Sequence, residues 1–351
     1  MQFEPDYRNI EAAAKNEKPA RIPLYEHIIS EEVMERILGR EFARLIDGSA
    51  ADKAEFFRHY TGFFLAMGYD TVSFEQIITK ALPGSGALYR HIEPVIKIKE
   101  DFESYPWKQV PDRYFELFRE DYRALSRAMP EGMKAIGGPG NGIFEMVQDL
   151  CGYEQLCYLS VDDPGLYEAI FEAVADMMEA IWRRFLEEFA DDYCVCRFGD
   201  DLGFRSQTLL PATDIRRLLV PRYKRLISSI HSFGKPFLLH SCGCIFDVMD
   251  DLIDVAGIDA KHSNEDAIAP FDTWIARYGG RIGNFGGIDT DVLCSRSGSE
   301  IAQYVERVYN AAKQKPGGVA LGSGNSIPEY VPPEGYLAMV NTIRQLRGDI
   351  T

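Results

Sequence analysis

The sequence predicts an α/β protein, a single (β/α)8 TIM barrel over residues 1–351, and three observations carry that expectation. Short apolar, β-branched runs alternate with longer helical patterns, as parallel strands joined by crossover helices require. Eight such runs occur, the number that closes a barrel of this kind. Polar or charged residues follow each run, and barrel enzymes build their sites at those strand ends.

Taken in order, the first run is 21–27, preceded by a polar stretch, 1–19, expected as an N-terminal helical extension, and it ends in Glu26 and His27. Ser30 ahead of Glu31 and Glu32 marks the start of a helix. The second run, 71–75, ends in Glu75. The stretch after it, 76–132, is too long for one crossover; it joins a Gly- and Pro-containing part (ALPGSGALYRHIEP) to a helical pattern at 112–127. It is expected to be an insertion over the barrel mouth. The third run, 134–138, leads to Asn141, and the fourth, 193–199, to Asp200 and Asp201. The fifth, 236–240, ends in His240 with Cys242 just beyond, and the sixth, 257–262, in His262, followed by Asn264 and Glu265. The seventh, 281–285, brings Asn284 with Asp289, and the eighth, 318–322, brings Ser323 and Asn325. Asp163 and Pro164 open a long helix running toward Ala190, while Pro221 inside the helical run 213–233 predicts a kink or a boundary between two helices. With no repeat, low-complexity tract or flexible linker, a second autonomous domain is not supported.

Composition narrows the function classes. Lys and Arg number 38 against 54 Asp and Glu, a formal net charge of −16 that repels nucleic acid and anionic lipid. No run approaches the apolar length of about 18 residues that a membrane span needs. The N-terminus lacks the basic-then-apolar order of a secretory signal, so a cytoplasmic address is expected. Seven cysteines, an odd number, fit reduced thiols better than a disulfide framework.

His240-Ser241-Cys242-Gly243 is the sharpest local motif. Residues two apart on a strand project to one side, and an imidazole with a thiolate makes two good zinc ligands. A third ligand has to come from another strand end, with Glu26, Glu75, Asp200, Asp201, His262, Glu265 or the nearby Cys244 as candidates. The other reading, a buried cysteine beside a hydrogen-bonded histidine, stays open. Asp200-Asp201 offers adjacent carboxylates able to bind a cation, orient an amine or ring N–H, or share a proton, although a turn accounts for one of the two. Catalytic work is expected of Asp200, Asp201, His240 and Cys242. Glu26, His27, Glu75, Asn141, His262, Glu265, Asn284, Ser323 and Asn325 are expected to line the substrate pocket. Cys194 and Cys196 fall inside a strand and should pack in the barrel interior or its wall. The glycine-rich Gly137-Gly138-Pro139-Gly140-Asn141-Gly142 lacks the ending of a nucleotide P-loop and reads as a tight turn or a close approach of backbone to a flat ligand.

Asp200-Asp201-Leu202-Gly203, then His240-Ser241-Cys242-Gly243, then Gly322-Ser323-Gly324 with Pro332-Pro333-Glu334 together resemble the uroporphyrinogen decarboxylase superfamily, over about 330 residues from Arg21 onward. The resemblance implies a (β/α)8 barrel and two kinds of enzyme: tetrapyrrole carboxy-lyases, and zinc methyltransferases that move methyl groups to or from corrinoid proteins. True decarboxylases carry an arginine-rich segment after the first strand, whereas this chain reads Leu24-Tyr25-Glu26-His27-Ile28-Ile29-Ser30-Glu31-Glu32, acid in place of base. The His-x-Cys pair of the methyltransferase branch is matched by His240 and Cys242. That branch places a further Cys where this chain has Ser323, and the decarboxylases tend to have His there, so a carboxylate or Cys244 must complete a zinc set. The resemblance therefore implies a corrinoid-linked methyltransferase or demethylase with zinc at His240 and Cys242 and a separate corrinoid protein as partner. It also leaves a metal-independent carboxy-lyase and a non-catalytic corrinoid- or tetrapyrrole-binding barrel, and a homodimer is an expectation of the family.

Overall fold

The computed structural model describes residues 3–315 and 317–350; residues 1, 2, 316 and 351 lie outside the description. Its centre is a seven-stranded parallel sheet in chain order, curled as a TIM-barrel-like half-barrel. The strands are β1 (Thr71–Ile77), β2 (Lys134–Gly140), β3 (Tyr193–Gly199), β4 (Phe237–His240), β5 (Ala260–His262), β6 (Gly283–Ile288) and β7 (Val319–Ser323). The first expected strand, 21–27, is not a regular strand. It pairs with β7 at the single bridge Leu24–Leu321, its neighbour Ile29 bridges Ile327, and the Ser73 hydroxyl of β1 donates to the His27 carbonyl at 2.6 Å. The segment thus lies between β7 and β1. A proline at Pro23, with no N–H to give to a ladder, accounts for pairing that short.

Side chains facing the sheet interior form one apolar plug. Tyr25, Ile136, Cys194, Leu238, Ala260, Phe285 and Ala320 pack with Ile10, Ala13 and Ala14 of the helix Arg8–Ala14, which fills the end of the sheet opposite the histidines described below. The expected N-terminal extension is therefore an integral part of the core. The larger of these, Ile10, Ile136, Leu238 and Phe285, each contribute about 1.5–3 kcal/mol. The outer faces of the strands pack against crossover helices whose ends follow ordinary capping chemistry. Ser49 and Asp52 form a capping box on Ala50–Met67, and Asp163 accepts from the Leu166 N–H at the start of Pro164–Phe189. Pro221 occupies the first turn of Val220–Ser232, directly after a π-helical turn, Ile215–Leu219, so the boundary expected there is present.

The long stretch 76–132 divides in two. The helix Val110–Ala128 is the ordinary crossover from β1 to β2. The residues ahead of it fold onto the helix Ile143–Cys151: Gly86 and Ala87 N–H groups reach the Asp149 carbonyl, and Val95 and Ile96 reach that of Leu150. No helix among the described residues is long and apolar enough to cross a membrane.

Candidate metal and active site

Three of the six histidines meet at the C-terminal end of the sheet. His240 and His262 are register partners at the ends of β4 and β5, which places both rings on the same face. Their Nδ1 atoms stand 2.7 Å apart, and His262 Nε2 lies 3.0 Å from the Ser323 carbonyl oxygen. The His27 ring stacks on His240 with centroids 3.7 Å apart and planes 8° from parallel, and its Nδ1 is buried without a partner. Burial lowers the basicity of all three, to about 3 for His262, so the rings are neutral at pH 7.

The other nitrogen of His240, Nε2, faces Cys242 Sγ at 3.5 Å and an Asp201 carboxylate oxygen at 3.9 Å. Ligand atoms of Asp201, His240 and Cys242 all lie within 4.8 Å of one another. The same Asp201 oxygen accepts the Cys242 N–H at 2.9 Å. Asn325 Nδ2 and Ser263 Oγ donate to the sulfur at 3.4 and 3.6 Å. Burial, followed by the Asp201 carboxylate, pushes the Cys242 thiol up. A backbone crossing holds these loops in place. Gly203 N–H donates to the Cys242 carbonyl, and a Cβ on Gly243 (φ +82°) would come within 2.1 Å of the Gly203 carbonyl carbon, so only glycine fits after Cys242.

The two adjacent aspartates separate in role. Asp201 is open to the site, its side chain 42% exposed. Asp200 is fully buried and accepts the Phe144 and Glu145 N–H groups, each at 2.9 Å, together with the Tyr223 hydroxyl. It therefore caps the helix Ile143–Cys151 from outside the helix, and a Cβ on Gly142 would fall 2.1 Å from the Asp200 carboxyl carbon. Gly137 to Gly140 lie inside β2, so most of the glycine-rich stretch is strand and not the expected turn, and Gly142 is explained by its close approach to a carboxylate. Burial raises Asp200 to about 7 against its three donors.

Other expected pocket residues are engaged with one another. Ser323 gives both its N–H and its hydroxyl to Glu26, to which Tyr69 also donates at 3.5 Å, and burial pushes Glu26 up to about 8. The Ser323 hydroxyl accordingly points to Glu26. Glu75 pairs with Arg197, whose guanidinium is fully buried and also donates to Tyr25 and Ser73. Asn141 bridges Thr79, Tyr89 and Glu145. Glu265 lines a cavity of about 270 Å³ with Asp289, Asp291, Asn325, Ser326 and Tyr330, beside the residue that touches Cys242. Cys244 is partly buried and its N–H is tied to Phe204. Asn284 departs from expectation. The seventh run, expected over 281–285, forms β6 from Gly283 to Ile288, so Asn284 sits near the start of that strand and donates to the Ile282 carbonyl.

Four further residues shape the site without having been singled out in the sequence. Glu145 accepts from Asn141, Tyr89 and the Asp201 N–H, and burial, with Asp201 and Asp200 beside it, pushes its carboxyl well up. Lys261 is buried, stacks over the Trp274 ring at 3.8 Å, donates to the Ser263 carbonyl, and is lowered by burial to about 7. Arg197 and Tyr223 complete the set. A charged residue inside the apolar runs YCVCRFG and IDAKH was the available signal, because a buried charge must find a partner.

Glu26 yields a stability prediction. Its folded value, about 8, stands above the ordinary 4.5, so the native state holds a proton that the unfolded chain releases. Stability present below pH 4.5 should be lost as pH rises through about 8, by up to about 5 kcal/mol. Asp200 acts in the same direction over a lower range. Urea unfolding at pH 5, 7 and 9 should show this decline, and Glu26→Gln, which keeps an acceptor for Ser323, should flatten it. An unchanged profile in the variant would show that Glu26 is ionised in the native protein.

The uroporphyrinogen decarboxylase (URO-D) family model matches residues 84–346. No curated protein matches the chain. Among solved structures it is similar to a methyltransferase from Methanosarcina mazei, at 15% identity and TM-score 0.72, covering 98% of this chain and 99% of that one. It is also similar to a B12-independent methionine synthase from Shewanella sp. W3-18-1, at 13% identity and TM-score 0.53, covering 84% and 87%. These likenesses carry the fold, and the family match covers most of the chain: the protein belongs to the uroporphyrinogen decarboxylase family.

Proposed function

We propose that the chain is a metal-dependent methyltransferase or demethylase that exchanges methyl groups with a corrinoid carried by a separate protein. The observation that carries this reading is the convergence of Asp201, His240 Nε2 and Cys242 Sγ at the strand ends. One oxygen, one imidazole nitrogen and one sulfur form a donor set suited to zinc, leaving a fourth position for substrate. The set fits on its surroundings too, since Asn325 and Ser263 already aim donors at the sulfur that must become a thiolate. Asp201 thus supplies the third ligand, in place of Glu26, Glu75 or Cys244. The whole-length likeness to a methyltransferase supports the same reading.

When bound, zinc supplies Lewis acidity, lowering the pKa of a thiol acceptor or polarising a donor heteroatom. The chain's own residues do the rest. Asp201, His240 and Cys242 hold the metal, and Asn325 and Ser263 stabilise the sulfur's charge. Asp200 fixes the helix that presents Glu145, and Glu145, accepting the Asp201 N–H, steadies the ligand loop. The acidic lining at Glu265, Asp289 and Asp291 favours a neutral or cationic methyl donor over a polyanion. Arg197, committed to Glu75, is not free to meet substrate carboxylates, which weighs against a tetrapyrrole carboxy-lyase. In this reading the chain acts in the cytoplasm as a single domain, with residues ahead of Val110 forming part of the cover over the mouth of the half-barrel.

The test uses the zinc-loaded chain with methylcobalamin and a small thiol, and in reverse with cob(I)alamin and methylated thiols, amines and ethers. Methyl transfer should exceed the uncatalysed rate by at least about 100-fold and vanish in Cys242→Ala. Absence of transfer in every pairing, including with corrinoid proteins, by folded and metal-loaded protein would overturn the proposal.

A further inference from the structure

We infer that His262 is a positioning residue that sets the tautomer of His240, through a directional hydrogen-bond relay starting at the Ser323 carbonyl. A carbonyl oxygen only accepts, so the 3.0 Å contact with His262 Nε2 requires the proton to sit on that nitrogen. In a neutral imidazole the other nitrogen, Nδ1, then carries a lone pair and can only accept. Its partner 2.7 Å away is His240 Nδ1, which must therefore be the donor. With its proton committed there, His240 presents a bare Nε2, the atom facing Cys242 and Asp201. The relay runs one way: Ser323 carbonyl, His262, His240, ligand position.

Rotation of the rings is blocked as well. His27 lies flat against the His240 ring at 3.7 Å, and His262 packs edge-on against Tyr25 at 5.2 Å. Were the His240 proton on Nε2 instead, two lone pairs would face each other across 2.7 Å, and an N–H would occupy the ligand direction. The relay also gives position 323 a function in this chain that its side chain does not provide. The hydroxyl serves Glu26 while the backbone oxygen orients the histidine pair. Metal-ligating histidines are commonly oriented by an acceptor on their other nitrogen; here that acceptor is a second imidazole.

The consequence for metal rests on the ligand set proposed above, whereas the tautomer itself does not. Long-range proton–nitrogen spectra of the full chain, 15N-labelled at histidine and metal-free, should show His240 protonated on Nδ1 and His262 on Nε2. Zinc affinity, measured by competition with a chromophoric chelator, should fall about 10- to 100-fold in His262→Leu. His262→Asn, whose amide oxygen replaces the Nδ1 acceptor, should recover most of that loss. A His240 proton found on Nε2, or equal affinities in all three proteins, would overturn the inference. Should wild type bind no zinc, the ligand proposal fails and the spectra alone decide the relay. Should His262→Leu not fold, the Asn variant and the wild-type spectra decide it.

Discussion

Replacing Arg197 by methionine should destabilise the protein by about 3–5 kcal/mol, the largest effect expected of any single substitution in the site. The guanidinium is fully buried and makes two bonds to Glu75 Oε2, at 2.8 and 3.1 Å, while its remaining donors reach Tyr25 and Ser73. Methionine leaves the Glu75 carboxylate without its counter-charge inside a wall of the sheet. The double change Arg197→Met with Glu75→Leu should recover much of the loss, because it removes the stranded charge together with its partner. Urea unfolding of the three proteins decides the point. Equal losses in single and double variants would mean that Arg197 acts through Tyr25 and Ser73, not through Glu75.

Replacing Asp201 by asparagine should have the opposite signature. Its side chain is partly exposed and supports no buried pair, so stability should stay within about 0.5 kcal/mol of wild type. Asparagine can still accept the Cys242 N–H, which keeps the loop in place. Zinc affinity should nonetheless fall by about 100-fold or more, since an anionic ligand becomes a neutral amide. Competition titration against a chelator measures it. Wild-type affinity in this variant would remove Asp201 from the ligand set and return the third position to the other carboxylates or Cys244.

Much of the architecture was legible because its signals are local. The run YCVCRFG coincides with β3 from end to end, and Asp163-Pro164 and Pro221 mark helix boundaries through capping and a missing N–H. The segment 21–27 carries the composition of a strand, but ladder formation depends on partners. With Pro23 inside it and only Leu24 in register with β7, it remains a bridge. The seventh run was cut short for a related reason. Its expected end at Phe285 falls before Gly286 and Gly287, which adopt positive φ inside β6 and stay paired with β7.

The site divides along the same line. His240 with Cys242 is a spacing signal within one strand end, visible without any structure. Bringing Asp201 to that pair requires the β3 and β4 loops to cross at Gly203 and Gly243, a contact that no spacing encodes. The opposite fates of Asp200 and Asp201 were hidden for the same reason. Which carboxylate is buried depends on where the helix Ile143–Cys151 begins, and Gly142 permits the approach. Lys261 and Arg197 left a trace, a charge within an apolar run, whose meaning lay in residues far off in the chain.

The central claim is that Asp201, His240 and Cys242 bind one metal ion, and metal content measures it most directly. Protein purified without chelator and offered zinc should carry about one zinc per chain by mass spectrometry, and the folded double variant His240→Ala, Cys242→Ala should carry none. The same zinc content in both proteins, or none in wild type, would contradict the account.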